Sequence, residues 1–229
     1  MKRLALNGSP RGERSNSRAI IRWIAEGMVE AGGGTPGILE LARTGELPAQ
    51  REAFLDAEEV LLVFPLYTDS VPGIVKNFID SLAGADPARL AGKRFAFVVQ
   101  SGFPESFQSE AVAAYLARLA ARLGFTLAGA AIRGNSEGLR LMPPQMTAKV
   151  RALFARLGRS LVEEGRFDAD AVRRLARPRR LGFFTRLLLV LLKPTGLTDS
   201  YWRSMLRKHG AWDRRFDRPY WAAGTPRPD

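Results

Sequence analysis

The sequence predicts an α/β protein: a five-stranded parallel sheet wrapped by helices on both faces, followed by a C-terminal helical extension. Three observations predict it. Continuous apolar runs recur at Leu4-Ala5-Leu6, Val60-Leu61-Leu62-Val63-Phe64 and Phe95-Ala96-Phe97-Val98-Val99, as expected of strands covered on both faces. Each run is followed by a polar loop, and each loop by apolar residues at helical spacing. Strand, loop and helix in alternation are the mark of a parallel sheet.

The elements come in order along the chain. Leu4–Leu6 is preceded by Lys2 and Arg3 and ends at a turn signal, and the next helix carries Ile20, Trp23, Ile24, Gly27, Met28 and Ala31 on one face. Gly32, Gly34 and Gly37 match a dinucleotide-binding pattern as text. They follow a helix rather than a strand, and Pro36 breaks the helix start that pattern requires, so they read as a helix C-cap and turn. Gly37-Ile38-Leu39-Glu40-Leu41 supplies a short second strand, with a weak helix over Ala49–Asp56. After the strand Val60–Phe64 comes the loop Pro65–Ser70, and Pro72 stands near a first helical position, where its missing N–H costs nothing. Ile74, Val75, Phe78, Ile79 and Leu82 line that helix. The loop 101–106 succeeds the fourth strand, and Val112, Tyr115, Leu116, Leu119, Ala120 and Leu123 line the next helix. Phe125–Ile132 is the last strand, and Met146, Val150, Leu153, Leu157 and Leu161 mark the closing helix.

Five such strands suggest a flavodoxin-like three-layer sandwich with strand order 2-1-3-4-5. Ligands bind such sheets beyond the carboxyl ends of the strands, where the strand order reverses. Here that point lies between the first and third strands, and the loops 7–17, 65–70 and 101–106 converge on it.

The first of these loops is the most informative. Asn7-Gly8-Ser9-Pro10-Arg11 ends the first strand, and Ser15-Asn16-Ser17 opens a helix. A helix start has unpaired N–H groups and partial positive charge, which favour an anion. Ser9, Ser15, Asn16 and Ser17 can donate further hydrogen bonds, and Arg11 a charge-assisted one. The loop therefore reads as a phosphate site, with ordinary N-capping as the competing use of Ser15-Asn16-Ser17. It is not a Walker A loop, because no Gly-Lys-Ser/Thr enters the helix. Asn7-Gly8-Ser9 also fits the glycosylation pattern, a match discarded because the first residues do not form a secretory leader.

Three segments taken together resemble the flavodoxin-like NAD(P)H-dependent FMN reductases, a family that includes quinone and azo-compound reductases. They are Asn7–Arg11 with Asn16-Ser17 downstream, Pro65-Leu66-Tyr67 ahead of Val71-Pro72-Gly73-Ile74-Val75-Lys76-Asn77-Phe78-Ile79-Asp80, and Ser101-Gly102-Phe103-Pro104-Glu105. The resemblance covers residues 1–160. It implies that Ser9, Arg11, Asn16 and Ser17 hold an FMN phosphate, and that Pro65, Leu66, Tyr67, Thr68, Ser101, Gly102 and Phe103 border the isoalloxazine. It also implies NAD(P)H as co-substrate and a small-molecule electron acceptor, a quinone, flavin, nitro- or azo-aromatic compound, reduced by ping-pong hydride transfer. Some relatives carry a cysteine-ligated iron–sulfur cluster; a chain with no cysteine has no ligands for one. The cofactor performs the chemistry in such enzymes, so no catalytic acid or base is assigned. For Tyr67, packing at a loop edge competes with flavin contact. Asp69 and Glu105 read as solvated carboxylates or caps.

Composition bounds the rest. At 229 residues with 46% hydrophobic content, one domain plus an extension is expected, divided as 1–164 and 165–229. Zero cysteines exclude disulfides and thiolate metal sites, and the sole histidine, His209, reads as a surface residue. No leader is expected at the N-terminus, and the expected compartment is cytoplasmic. The net charge is +12, and residues 161–229 hold 15 basic against 8 acidic side chains. That excess suits an anionic partner: NADPH, a membrane surface or, less readily, nucleic acid, for which no binding motif is present.

In the extension, Phe183, Phe184, Leu187, Leu188, Leu191 and Leu192 form one apolar helical face between basic flanks. About 20 apolar residues are needed to span a bilayer, so this segment must be covered in another way. Burial within the chain or in a homodimer is the first expectation, and peripheral membrane contact through 177–193 the second. Tyr201, Trp202, Trp212, Phe216, Pro219, Tyr220 and Trp221 read as docking anchors or as a lid. Two other functions stay open: a non-catalytic FMN-binding electron carrier, and a basic scaffold without cofactor.

Overall fold

The computed structural model describes residues 1–196 and 199–217, without the side chain of Tyr201. Pro219, Tyr220 and Trp221 lie outside the described residues. The chain forms two compact units, Met1–Arg180 and Leu181–Asp229.

The first unit is built on strands β1 (Arg3–Asn7), β2 (Gly37–Glu40), β3 (Glu59–Pro65), β4 (Arg94–Gln100) and β5 (Thr126–Arg133). They pair in parallel in the order β2-β1-β3-β4-β5, as the sequence predicts. In register, Asn7 stands beside Val63 and Pro65 beside Gln100, so the loops after β1, β3 and β4 leave the sheet at one edge.

Helices α1 (Asn16–Glu30), α2 (Leu47–Leu55), α3 (Gly73–Ser81), α4 (Pro87–Leu90), α5 (Glu110–Arg122), α6 (Pro144–Glu163) and α7 (Ala169–Leu175) cover the two faces. On one face Phe54, Phe78, Leu116 and Ala120 pack against Leu6, Leu62, Phe64 and Phe97. On the other, Ile20, Ile24 and Met28 of α1 and Phe154, Leu157 and Leu161 of α6 pack against Ala5, Leu61, Val63 and Val98. Side chains alternate between the faces along each strand, which is why every position of β3 is buried. Gly32 and Gly34 adopt φ of 76° and 73°, and the Gly33 N–H bonds the Met28 carbonyl at 2.8 Å. These glycines therefore end α1, as read from the sequence.

Residues 165–180, read from the sequence as the start of the extension, pack with the first unit. Phe167, Ala171 and Leu175 are buried with the α1–α6 face. Gly129 makes room for the Phe167 ring, to which an added Cβ would approach within 2.3 Å. Asp168 caps α7, its carboxylate accepting the Ala171 N–H at 2.7 Å.

The second unit contains α8 (Phe183–Leu192) and α9 (Ser200–Lys208). No residue of α8 is buried, so the second unit by itself does not cover the helix that the sequence led us to expect buried. Among the described residues no helix is long and apolar enough to cross a membrane.

Candidate functional site

Asn7, the last residue of β1, is fully buried and organises the first loop. Its Nδ2 donates to the Gly12 carbonyl at 2.8 Å, to Glu40 Oε2 at 2.6 Å and to Ser15 Oγ at 3.2 Å, and its Oδ1 accepts the Ser9 N–H at 3.2 Å. Arg18 Nη1 donates to the other Glu40 oxygen at 3.0 Å. The loop can turn here because residue 8 has no side chain: a Cβ would stand 2.5 Å from Val75 Cγ2 and 2.8 Å from Phe64 Cβ.

The hydroxyls divide their work. Ser15 is the N-cap of α1, its Oγ accepting the Arg18 N–H at 3.1 Å, so the capping reading holds for this residue. Ser9 Oγ accepts the Arg11 N–H at 3.3 Å, and Ser17 Oγ accepts from Gln100 Nε2 at 3.4 Å. Both keep a hydroxyl proton for donation. Asn16 faces another task. Its amide donates to the carbonyls of Ser136 and Glu137 at 2.5 and 3.1 Å and accepts the Arg140 N–H at 3.0 Å. The side chain that the resemblance assigns to a phosphate thus ties the loop after β5 onto the start of α1. Arg11 remains open, its side chain 64% exposed and Nη1 4.0 Å from Glu137 Oε1.

The second loop is a tight reversal. Tyr67 and Ser70 exchange backbone hydrogen bonds of 3.1 and 3.0 Å, and Thr68 and Asp69 between them have φ of 49° and 58°. Two successive left-handed residues make a type I′ turn. For β-branched Thr68 that conformation costs about 1–3 kcal/mol, and strain of this kind gathers at ligand sites. Pro65 and Leu66 are buried beneath the turn, whereas Tyr67 is 41% exposed.

The third loop leans on the segment after β5. The N–H groups of Ser136 and Asn135 bond the carbonyls of Ser101 and Phe103 at 2.8 and 2.7 Å. Phe103 is 49% exposed. Gly102 faces the Glu137 carboxylate, which a Cβ there would meet at 3.2 Å. Glu137 therefore stands between the first and third loops.

All twelve site residues read from the sequence lie at this one edge, on the loops or on the element ends beside them, Pro65 closing β3 and Asn16 and Ser17 opening α1. Three further participants escaped that reading. One is Asn7 as organiser; another is the loop Gly134–Arg140. The third is the carbonyl of Arg133 at the end of β5, which accepts the Ser101 N–H at 2.9 Å, while the half-buried side chain keeps its Nε unpartnered. Burial pushes the Arg133 guanidinium below its usual value. The dipeptide Gly134-Asn135 was the legible signal, a turn pair directly after a strand, and Asn135 indeed adopts φ 53°. Among the described residues no cluster suited to a metal is present.

A family model described as a flavodoxin-like fold matches residues 1–132, more than half of the chain. The chain belongs to the flavodoxin-like fold family. None of the curated proteins matches it. The flavodoxin-like chain is similar to an FMN-dependent NADH-azoreductase from Bacillus anthracis str. Ames Ancestor, solved in complex with FMN: TM-score 0.56, 14% identity, covering 71% of this chain and 100% of that one. It is similar also to an NAD(P)H:quinone oxidoreductase from Methanothermobacter marburgensis, with TM-score 0.53, 16% identity and coverage of 69% and 95%. A flavodoxin from the domain Archaea gives TM-score 0.50, 14% identity and coverage of 72% and 98%. The flavodoxin-like fold is thus common to reductases and to a flavodoxin, and a fold does not by itself choose between such functions.

Proposed function

We propose that this chain is an FMN-dependent NAD(P)H oxidoreductase that passes electrons to small quinone, flavin, nitro- or azo-aromatic acceptors. One observation carries the reading. At a single sheet edge, a helix start with an open guanidinium stands beside two turns that each expose an aromatic ring, Tyr67 at 41% and Phe103 at 49%. A phosphate attached to a planar ring system is the ligand such groups accept. The azoreductase and quinone oxidoreductase neighbours, one with FMN bound, support the reading.

The donor set fits this cofactor. Arg11 and the first N–H groups of α1 would hold the phosphate, while the hydroxyls of Ser9 and Ser17, 2% and 0% exposed, lie beneath them and brace the loop. Pro65, Leu66, Tyr67 and Thr68 on one side, and Ser101, Gly102 and Phe103 on the other, would border the ring. Bound FMN supplies the hydride and electron transfer itself, leaving orientation and electrostatics to the protein. Arg11 gives this edge positive charge, which favours a phosphate. No side chain is assigned a proton-transfer role.

An absorption spectrum, followed by FMN titration and anaerobic addition of NADPH, tests the proposal. Yellow protein that NADPH or NADH bleaches, with parallel double-reciprocal lines against acceptor, is expected. Colourless protein that ignores added FMN would sink the proposal. Flavin-loaded protein that neither nicotinamide reduces would point to an electron carrier instead.

Glu137 gives a sharper check. Its carboxylate stands 4.0 Å from Arg11 Nη1, where it competes with an incoming phosphate. Exposed ion pairs of this kind are worth about 0.2–1 kcal/mol. Glu137→Gln is therefore expected to tighten FMN up to about fivefold by calorimetry; weaker binding would mean that the carboxylate helps the ligand rather than opposing it.

A further inference from the structure

The helix α8 presents an anomaly. Phe183, Phe184, Leu188, Val190 and Leu191 are 55–82% exposed. Contiguous apolar surface of this kind marks an interaction site. Three observations within the second unit and its approach select the occupant.

The first is charge. Residues 181–217 hold seven Lys and Arg against three Asp. The second is length. Ten residues make a helix about 15 Å long. That is too short to span a bilayer, which needs about 20 residues. The third lies just beyond the helix. The chain turns at Gly196, φ 70°, and Thr195, Gly196, Ser200, Arg203, Ser204 and Arg207 then line a groove of about 390 Å³. The Arg203 guanidinium lies over Gly196, where an added Cβ would stand 2.2 Å from Nη2. Guanidinium and hydroxyl donors are those that phosphate esters accept. On the same helix, α9, Trp202 is 62% exposed, and Trp is enriched at membrane–water boundaries.

We propose that the second unit docks on an anionic phospholipid surface. α8 lies in the interface with its apolar side chains among the acyl chains, and the Arg203–Arg207 groove receives a headgroup phosphate. A second copy of the chain is the poorer occupant. Residues 181–229 carry nine Lys and Arg against four Asp and Glu, so two copies repel. A single helix also offers a footprint of roughly 15 by 10 Å, small beside the about 800 Å² per partner of a stable interface.

Co-sedimentation of the full chain with vesicles tests this. Vesicles of phosphatidylcholine and phosphatidylglycerol in equal parts are expected to carry the protein down at low salt and release it at high salt. Vesicles of phosphatidylcholine alone are expected to leave it in solution. The double variant Leu187→Glu, Leu191→Glu should weaken association by roughly a hundredfold. Arg203→Gln and Arg207→Gln should weaken it by about fivefold each. All these side chains lie in the second unit, and circular dichroism checks that helix content is retained. Absence of sedimentation with the mixed vesicles overturns the proposal, and so does binding that survives both sets of substitutions. A dimer that dissociates in the leucine variant, with vesicles unbound by the parent chain, overturns it in favour of a second copy. The test shares no residue with the flavin reading: FMN titration of the same variants is expected to be unchanged, and failure of one result leaves the other standing.

Discussion

Asn7→Asp is expected to cost about 3–5 kcal/mol of stability and to abolish FMN binding. The substitution is nearly isosteric, yet it removes the donor that reaches the Gly12 carbonyl, Glu40 and Ser15. It also sets a second carboxylate where the amide now lies 2.6 Å from Glu40 Oε2, with Arg18 alone to neutralise the pair. Asn7 is fully buried, so water cannot repair the loss. The loop from Ser9 to Ser15 hangs on these bonds, and the helix start that would hold the phosphate hangs on the loop. Thermal unfolding and FMN titration of the variant check the two consequences separately. A melting point within a degree or two of the parent would show that the amide organises far less than its hydrogen bonds indicate.

Gly158→Ala is expected to lower stability by about 3 kcal/mol, a drop of roughly 10 °C in the melting temperature of a domain this size. At Gly158 an added Cβ would stand 1.9 Å from the Ile24 carbonyl oxygen, and at Gly27 one would stand 1.8 Å from that of Ala155. The helices α1 and α6 cross backbone against backbone there. A methyl group has no flexible neighbour to displace, so the helices must part. Because the start of α1 that would hold the phosphate lies at its other end, FMN affinity should fall along with stability. A fully stable alanine variant would mean that the crossing is looser than these distances state.

The sheet and its order were legible because the interiors of the strands are mostly apolar and β1, β3, β4 and β5 are each followed by a helix with a clear apolar face, whereas the helix after β2 reads only weakly. The three loops were legible as a set because hydroxyls, glycines and prolines succeed β1, β3 and β4 in turn. α7 was less so. Seven residues give too few turns for a period to stand out, although Phe167, Ala171 and Leu175 recur every fourth position and are all buried. The loop Gly134–Arg140 was missed for a different reason. Its role comes from backbone carbonyls meeting Asn16, a contact across more than a hundred residues that composition does not register. Asn16 itself illustrates the limit of reading roles from residue type. An amide at a helix start suits a phosphate and a neighbouring loop equally well, and only the fold decides which it serves. The expectation that α8 would be buried in its own chain rested on its apolarity, which establishes that something covers it but not what.

The glycine crossing has a practical corollary. Where Gly27 and Gly158 meet, backbone lies on backbone, so the spacing of α1 and α6 at that point is set by the main chain while Ile24, Met28, Phe154 and Leu157 pack around it. If the proposed reductase activity holds, efforts to change its acceptors belong at residues 66–69 and 102–105, where turns project from the sheet edge.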